Sequence, residues 1–318
     1  MRIVFFGTPR FAVPSLLQMV ETSHDVVAAV TQPDKPKGRA AEPVPSAVKE
    51  EAQTKGLTIL QPKDPGEKNF LSAIGALRPD CGVVVAYGRI LPAALLTLFP
   101  RGVVNLHPSL LPKYRGAAPI QWTLIHGETE TGVTIFRLDE QLDHGPILLQ
   151  VRQQIDPQEN AASLSDLLST EGARALTDAL ELLESGQAHL HPQNDQEATF
   201  APPLKKEDGF IRWADDALSI HNRVRGVQPW PGALTGLNGK LLKLFATFPD
   251  PSRSAGPQAP GTVVSADSVH GLWIQTGKGQ LRIDQLQLEG STLLDAESFL
   301  RGRPVEAGTV LSRPNPSR

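Results

Sequence analysis

Two stretches in the middle of the chain indicate its fold, V-N-L-H-P-S-L-L-P-K-Y-R-G-A-A-P-I-Q at residues 104–121 and R-L-D-E-Q-L-D-H-G-P-I-L at residues 137–148. The first stretch begins within an apolar, strand-like run that carries Asn105 and His107 at its end. Side chains two residues apart in a strand point the same way, so these two face one crevice. The second stretch supplies Asp143 at the next turn. A carboxylate that reaches the imidazole would fix its tautomer and raise its pKa.

The first half of the chain alternates short apolar runs with helical patterns. This alternation is typical of a mostly parallel sheet covered by helices on both faces, and it predicts a Rossmann-like, doubly wound α/β domain. The predicted strands are Arg2–Gly7, Asp25–Thr31, Leu57–Leu60, Cys81–Ala86, Val103–Leu106, Gly132–Leu138 and Ile147–Gln154. The predicted helices are Phe11–Thr22, Ser46–Lys55, Glu67–Leu77, Pro92–Phe99 and Ser163–Ser185.

Ligands of such sheets bind beyond the carboxyl ends of the strands, which singles out the loops Gly7–Arg10, Ala86–Pro92 and His107–Gly116. The first of these loops stands where a dinucleotide-binding fold carries G-x-G-x-x-G, but Pro9 and Phe11 replace the pattern. A nicotinamide cofactor is therefore not expected. The loop itself is either a plain tight turn or a substrate contact.

The second part of the chain has a different pattern. Gln193–Asp208 is rich in proline, lysine and acidic residues and is predicted to be a linker, and the helix Ala217–Arg225 follows it. Short alternating runs broken by glycine and proline come next, which predicts a small sandwich or barrel. We expect a catalytic domain at residues 1–192, a linker at 193–207 and a C-terminal domain at 208–318.

The composition is that of an ordinary globular protein, with 40% hydrophobic and 20% charged residues in 318. Cys81 is the single cysteine, which excludes an internal disulfide framework and a cysteine zinc cluster, and its apolar surroundings predict a core thiol. No run approaches the roughly 18 apolar residues of a membrane span, and the N-terminus predicts a strand instead of a signal peptide. These features lead us to expect a cytoplasmic protein without membrane association.

Charge is distributed unevenly along the chain. Residues 1–204 hold 17 Lys and Arg against 23 Asp and Glu, whereas residues 205–318 hold 14 against 11. The basic second part permits a nucleic-acid partner but is also common on solvated surfaces. The Pro-rich loop Q-P-D-K-P-K-G-R-A-A-E-P-V-P-S is long and holds Lys35, Lys37 and Arg39, which suit phosphate contact or are simply exposed charges.

Asn105, His107 and Asp143 form the candidate catalytic group. An amide donor, an imidazole and a carboxylate suit an acyl-type transfer in which an oxyanion forms and protons move. On spacing alone, Asp143 is equally consistent with a solvated acidic turn beside Asp139 and Glu140. His126 and His144 are not at metal-ligand spacing with His107, so no metal is expected.

These residues resemble the 10-formyltetrahydrofolate-dependent formyltransferase family. The resemblance rests on N-L-H-P-S-L-L-P-K-Y-R-G-A-A-P-I-Q followed by L-D-H-G. It extends over nearly the whole chain, because four further segments also match the family: G-T-P-R-F-A, T-Q-P-D-K-P-K-G-R, V-V-V-A-Y-G-R-I-L-P and W-P-G-A-L. The basic loop, R-G-A-A-P-I-Q and the C-terminal part point to the tRNA-formylating branch. The resemblance implies an OB-like β-barrel for that part, a fold that suits nucleic acid.

The resemblance also implies roles for individual residues. Asn105, His107 and Asp143 match the catalytic triad of the family, and Lys35, Lys37 and Arg39 match its tRNA-binding loop. The residues expected to bind folate are Tyr87, Gly88, Arg89, Ile90, Leu91, Ser109, Leu110, Leu111 and Pro112. Two departures stand out. Further lysines after Arg39 are missing, which suggests a weaker tRNA contact, and Pro108 replaces a glycine.

The implied reaction moves a formyl group from 10-formyltetrahydrofolate to the α-amine of methionine on the initiator tRNA. The expected enzyme is a monomer that forms no covalent intermediate, since neither Cys81 nor Ser109 has a convincing base. One alternative is a related enzyme acting on glycinamide ribonucleotide or an amino sugar. Another is a non-catalytic nucleic-acid-binding protein that retains an inactive α/β domain.

Overall fold

A computed structural model describes residues 1–36, 43–253, 256–267 and 270–314 of the chain. The chain divides into two compact units. The first comprises Met1–Pro119, Glu130–Gln154 and Ser165–Ala201, and the second comprises Ile120–Thr129, Ile155–Leu164 and Pro202–Arg318. Two segments of the expected catalytic domain thus group with the second unit.

The first unit is built on a seven-stranded sheet in the order β10-β9-β7-β6-β1-β2-β5. The strands from β7 to β5 are parallel, whereas β9 and β10 add to the β7 edge in antiparallel orientation. The strands of this unit are β1 Arg2–Gly7, β2 Asp25–Val30, β3 Lys35–Pro36, β4 Pro43–Val44, β5 Ile59–Leu60, β6 Cys81–Val85, β7 Val103–His107, β8 Arg115–Gly116, β9 Glu130–Arg137, β10 Ile147–Gln154 and β11 Phe200–Ala201.

Helices cover the sheet and bury its apolar strands. The helices that lie in or enter this unit are α1 Val13–Val20, α2 Ala47–Thr54, α3 Lys68–Ala76, α4 Ala93–Leu96, α5 Pro119–Ile125 and α6 Ala161–Ser185. One core cluster packs Val4 and Phe6 of β1 with Ile74 of α3 and Leu95 of α4. On the other face, a Cβ on Gly172 of α6 would lie 2.6 Å from Leu106. The predicted α/β class with a mostly parallel sheet is confirmed.

Element boundaries differ from the predicted ones for local reasons. The helix expected from Phe11 starts at Val13, because Arg10–Ala12 form a separate 3-10 turn and Pro14 occupies the first turn of α1. Pro92 directly precedes α4 in an extended conformation, with a ψ of 154°. Ser46 caps α2 by accepting a hydrogen bond from Lys49 N at 3.1 Å.

The second unit contains a six-stranded sheet in the order β12-β13-β16-β15-β14, with β17 added beside β16. Its strands and helices are β12 Ala233–Leu237, β13 Lys240–Asp250, β14 Val263–Asp267, β15 Gly271–Gln275, β16 Gln280–Leu288, β17 Leu294–Asp295, α7 Ala217–Gly226 and α8 Ala296–Gly302. Residues 309–312 then bond to both edges, since Val310 bridges Thr262 beside β14 and Ser312 bridges Gly236 of β12. The chain thereby closes the sheet into the small barrel that the resemblance implied.

Cys81 is fully buried in β6, and burial raises the pKa of its thiol to about 12. The prediction of a core thiol is confirmed. Over the described ranges, none of the helices combines the length and the apolar character needed to cross a membrane.

Candidate active site

The carboxyl end of β7 carries the candidate catalytic side chains. Asn105 pairs with Phe136 and His107 with Thr134 across the antiparallel β7–β9 ladder, so Asn105 and His107 point to the same face of the sheet. Asn105 is half-buried, whereas His107 is only 4% exposed, with its ring edge-on to Phe136 at 6.5 Å. Among the described residues, the Asn105 side-chain amide has no hydrogen-bond partner, and its donors remain available to a ligand.

The two ring nitrogens of His107 have different surroundings. Nε2 donates to the carbonyl oxygen of Tyr114 at 2.9 Å, because a carbonyl can only accept. Nδ1 lies 3.7 Å from Asp143 Oδ2, which is too long for a direct hydrogen bond. Nδ1 is therefore the nitrogen that can exchange a proton with a group bound beside the imidazole and the carboxylate.

The expected rise in the pKa of His107 is wrong. Burial lowers the pKa of His107 below its ordinary value and outweighs the opposing effects of Asp143 and of the Tyr114 carbonyl. The imidazole is thus neutral near pH 7, with its proton on Nε2. A substrate that places negative charge beside the ring favours the protonated form, and Asp143 is positioned to stabilise the proton that Nδ1 then carries.

Asp143 lies in a turn that aims its carboxylate at His107. Its φ of 48° is in the left-handed region, and its Oδ2 accepts a hydrogen bond from Gly116 N at 2.8 Å. Gly116 itself has a φ of 128°, and a Cβ there would lie 2.6 Å from the carbonyl oxygen of Ala201. Only glycine fits at this position of β8, next to Ala201 of β11, while presenting its N–H to the carboxylate.

Two side chains that were not predicted to belong to the site, Thr134 and Gln150, fix the turn after β7. This turn contains the predicted folate residues Ser109, Leu110, Leu111 and Pro112. Thr134 Oγ1 donates to Ser109 O at 2.6 Å and accepts from Leu111 N at 3.1 Å. Gln150 Nε2 donates to both Leu111 O and Thr134 Oγ1. Thr134 and Gln150 are register partners across β9 and β10, a pairing that a sequence pattern does not reveal.

The predicted folate segment Tyr87–Leu91 follows β6, next to the end of β7, because Val84 and Val85 pair with Asn105 and Leu106. Gln32 Nε2 donates to Tyr87 O at 2.9 Å and to Gly88 O at 3.2 Å, which fixes the bend of this loop. Tyr87 is buried and Gly88 has a φ of 78°. Arg89 is exposed, and Ile90 is 85% exposed, so the loop presents an apolar surface beside the end of β7.

Of the three predicted tRNA-binding residues, only Lys35 belongs to the described part of the chain. Its Nζ donates to Gln32 Oε1 at 3.0 Å, which connects the Pro-rich loop to the side chain that holds Tyr87 and Gly88. Lys37 and Arg39 lie outside the described residues. Within the described ranges, no cluster of three or more His, Cys, Asp and Glu residues could hold a metal ion.

Sequence comparison places the whole chain in one family. The Formyl transferase model matches residues 1–180, and the model of the Formyl transferase C-terminal domain matches residues 203–304. The methionyl-tRNA formyltransferase of Syntrophus aciditrophicus is 47% identical over 97% of this chain and 98% of its own length. The methionyl-tRNA formyltransferase of Trichlorobacter lovleyi is 45% identical over 98% of this chain and 96% of its own length.

Solved structures share the fold. WlaRD, a sugar 3N-formyl transferase, superposes with a TM-score of 0.68 at 17% identity and covers 92% of this chain and 99% of its own. HypX from Aquifex aeolicus, solved with tetrahydrofolic acid, gives a TM-score of 0.63 at 19% identity over 98% of this chain. This chain spans about half of HypX, 50% of its length. Both parts of the sequence and its full-length relatives lead to the same conclusion: the chain belongs to the formyl transferase family.

Proposed function

We propose that this protein transfers a formyl group from 10-formyltetrahydrofolate to the α-amine of methionyl initiator tRNA, giving N-formylmethionyl-tRNA for translation initiation. The observation that carries the proposal is the arrangement of Asn105, His107 and Asp143 at the end of β7, in a chain whose full-length relatives are methionyl-tRNA formyltransferases.

We assign the chemistry to these three residues. Bound 10-formyltetrahydrofolate supplies the formyl carbon, and the methionine amine attacks it directly. The free amide of Asn105 donates a hydrogen bond to the oxygen that becomes negative. His107 Nδ1, protonated as that charge develops, stabilises it and then gives its proton to the departing nitrogen. Asp143 holds the charged imidazole, and a water that hydrogen-bonds to both Asp143 and His107 passes the proton lost by the amine to His107 Nδ1.

The proposed folate site comprises the loop Tyr87–Leu91 and the turn Ser109–Pro112. The exposed Ile90 offers an apolar surface for a flat ring, and the bent backbone at Gly88 presents polar main-chain groups beside it. Both segments are held by side-chain amides, Gln32 on one and Gln150 on the other. A site held in this way loses little conformational entropy on binding, which suits recognition of a rigid ring.

The proposed tRNA contacts are the basic loop with Lys35, Lys37 and Arg39, and the C-terminal barrel. We assign residues 1–192 to catalysis, 193–207 to a linker and 208–318 to tRNA binding. The protein acts as a monomer and needs no metal ion. Because its substrate is a charged tRNA, we expect it to act in the cytoplasm.

The nearest competing function is formylation of a small amine, because WlaRD, which shares the fold, is a sugar 3N-formyl transferase. An acceptor comparison separates the two. The protein is incubated with 10-formyltetrahydrofolate and, in parallel, methionyl initiator tRNA, a dTDP-linked amino sugar and glycinamide ribonucleotide. We expect turnover on methionyl-tRNA at a kcat/KM at least about 10³ times that on either small amine, because the extra contacts to tRNA contribute binding energy. Equal or faster transfer to a small amine would overturn the proposed acceptor.

A further inference from the structure

Gln193 connects three parts of the first unit that meet around Asp143. Its side-chain Nε2 donates to the carbonyl oxygens of Asp143 and Gly145, both at 2.8 Å. Its Oε1 accepts hydrogen bonds from Arg115 Nε at 3.1 Å and from Arg115 Nη2 at 2.8 Å. Every polar atom of the amide is thus used, and the amide can adopt only one orientation, since carbonyls require the NH₂ group and guanidinium requires the oxygen.

These contacts form a closed ring that we call the Gln193 clamp, consisting of Gln193, Arg115, Gly116, Asp143 and Gly145. Asp143 is tied to the ring twice, through its main-chain oxygen to Gln193 and through Oδ2 to Gly116 N, the residue that follows Arg115. The left-handed φ of 48° at Asp143 is unfavourable for a residue with a Cβ, so the turn depends on bonds of this kind.

The surroundings of the clamp fix it further. Arg115 is 6% exposed and also donates to Asp195 Oδ1 at 2.8 Å, and this hydrogen bond lowers the pKa of Asp195. His144 Nδ1 lies 2.7 Å from Asp139 Oδ2, and this contact raises the pKa of His144. Asp195 thus holds the Arg115 side chain that bonds Gln193, and Asp139 holds His144, the residue that follows Asp143.

We propose that Gln193 is a positioning residue that sets the direction of the Asp143 carboxylate toward His107 Nδ1. Gln193 itself touches neither the imidazole nor the substrate site described above. Its amide fixes the carbonyl groups on both sides of His144, and with them the backbone from which the Asp143 side chain extends. Loss of the two NH₂ bonds lets this turn relax, which lengthens or redirects the path from the carboxylate to His107. The inference rests on the proposed function of Asp143.

Gln193→Glu and Gln193→Met test the proposal. Glutamate keeps an acceptor for Arg115 but turns a carboxylate oxygen toward the two carbonyls, whereas methionine keeps the volume and removes every hydrogen bond. Displacement of a catalytic group by about 1 Å can cost about 10²-fold in rate, so we expect kcat to fall by about ten- to a hundredfold. The KM values for 10-formyltetrahydrofolate and methionyl-tRNA should change by less than about threefold, because neither substrate site contains Gln193.

The control is Gln196→Glu, which adds the same charge three residues away at an exposed side chain. It should leave kcat unchanged. A second readout is the effect of Gln193→Met on the rate of formyl transfer in an Asp143→Asn background, measured in single turnovers with enzyme in excess. If Gln193 acts through Asp143, Gln193→Met should cost less than about threefold there, because coupled residues are non-additive.

Two results would overturn the proposal. One is a folded Gln193→Met protein, judged by an unchanged thermal midpoint, that keeps more than half of the wild-type kcat. The other is an equal loss of rate in the wild-type and Asp143→Asn backgrounds, which would mean that Gln193 acts independently of Asp143. Failure of the wild-type protein to formylate any acceptor would instead overturn the proposed function, so the two failures are distinguishable.

Discussion

At the scale of single residues, the site depends on where each nitrogen and oxygen points. Asn105 and His107 could be predicted as neighbours from their spacing, since a strand places alternate side chains on one face. The direction in which the pKa of His107 shifts could not be predicted, because it depends on the burial of the ring and on the 3.7 Å separation from Asp143. Gln193 was assigned to a linker, because a hydrogen bond across fifty residues leaves no local pattern.

The lowered pKa of His107 predicts a specific pH dependence of stability. Above the unfolded-state value of about 6.5, the imidazole is neutral in both states and contributes no slope. As the pH falls below that value, the unfolded chain binds the proton first, so the free energy of unfolding decreases until the lower folded-state pKa is passed. His107→Gln should therefore flatten the loss of stability as the pH falls below about 6.5.

Urea unfolding at a series of pH values measures this difference. Burial also lowers the pKa of His24 and of His221, and Asp143 faces His107 in the wild type. The two other histidines are present in both proteins, so their contributions cancel in the comparison. Identical slopes for wild type and His107→Gln would show that His107 is not protonated differently in the folded and unfolded states.

At the scale of elements, the short β8–β11 pair shows how local conformation supports the site. The sequence predicted the long apolar strands well, because their burial is encoded in continuous hydrophobic runs. It did not predict the two-residue strands Arg115–Gly116 and Phe200–Ala201, which are separated by more than eighty residues and have no periodic pattern of their own. Their pairing nevertheless places Gly116 N where Asp143 accepts its hydrogen bond.

Gly116→Ala should damage both stability and activity. Its φ of 128° is unfavourable for alanine by about 1–2 kcal/mol, and the new Cβ would lie 2.6 Å from Ala201 O, so the β8–β11 pair must separate. We expect a lower thermal midpoint and a kcat reduced by at least about tenfold, through displacement of Asp143.

Gly75→Ala is the matched control for this change. Gly75 lies in α3 with no atom within 4 Å of the new Cβ, and alanine favours a helix. That variant should have an equal or higher thermal midpoint and unchanged turnover. A Gly116→Ala protein that matches Gly75→Ala in both measurements would contradict the role assigned to the β8–β11 pair.

At the scale of the whole molecule, the two units differ in how far the sequence predicted them. The sheet of the first unit followed from strand and helix patterns. For the second unit the pattern predicted a small sandwich or barrel, and the family resemblance pointed to the barrel. Its closure depends on residues 309–312, whose bonds to β12 and β14 join segments far apart in the chain. A chain that ends at Gly308 should lose these hydrogen bonds, so its barrel should unfold at a lower temperature. The thermal midpoint should fall by about 4 °C for each kcal/mol of unfolding free energy lost.

Thermal unfolding of the shortened chain, followed by circular dichroism, checks this expectation. The control is a chain that ends at Pro314, which keeps Val310 and Ser312 and every hydrogen bond assigned to the closing segment. Equal midpoints for the two shortened chains would mean that residues 309–312 do not stabilise the barrel.

The most direct test of the central claim is the rate of formyl transfer from 10-formyltetrahydrofolate to methionyl initiator tRNA. It is measured at saturating substrates for wild type, Asn105→Ala and His107→Ala. Removing one oxyanion donor typically costs about 10²–10³ in turnover, so each variant should lose at least that much while its thermal midpoint stays near that of wild type. A folded variant that keeps more than about a tenth of wild-type turnover would contradict the catalytic roles of Asn105 and His107.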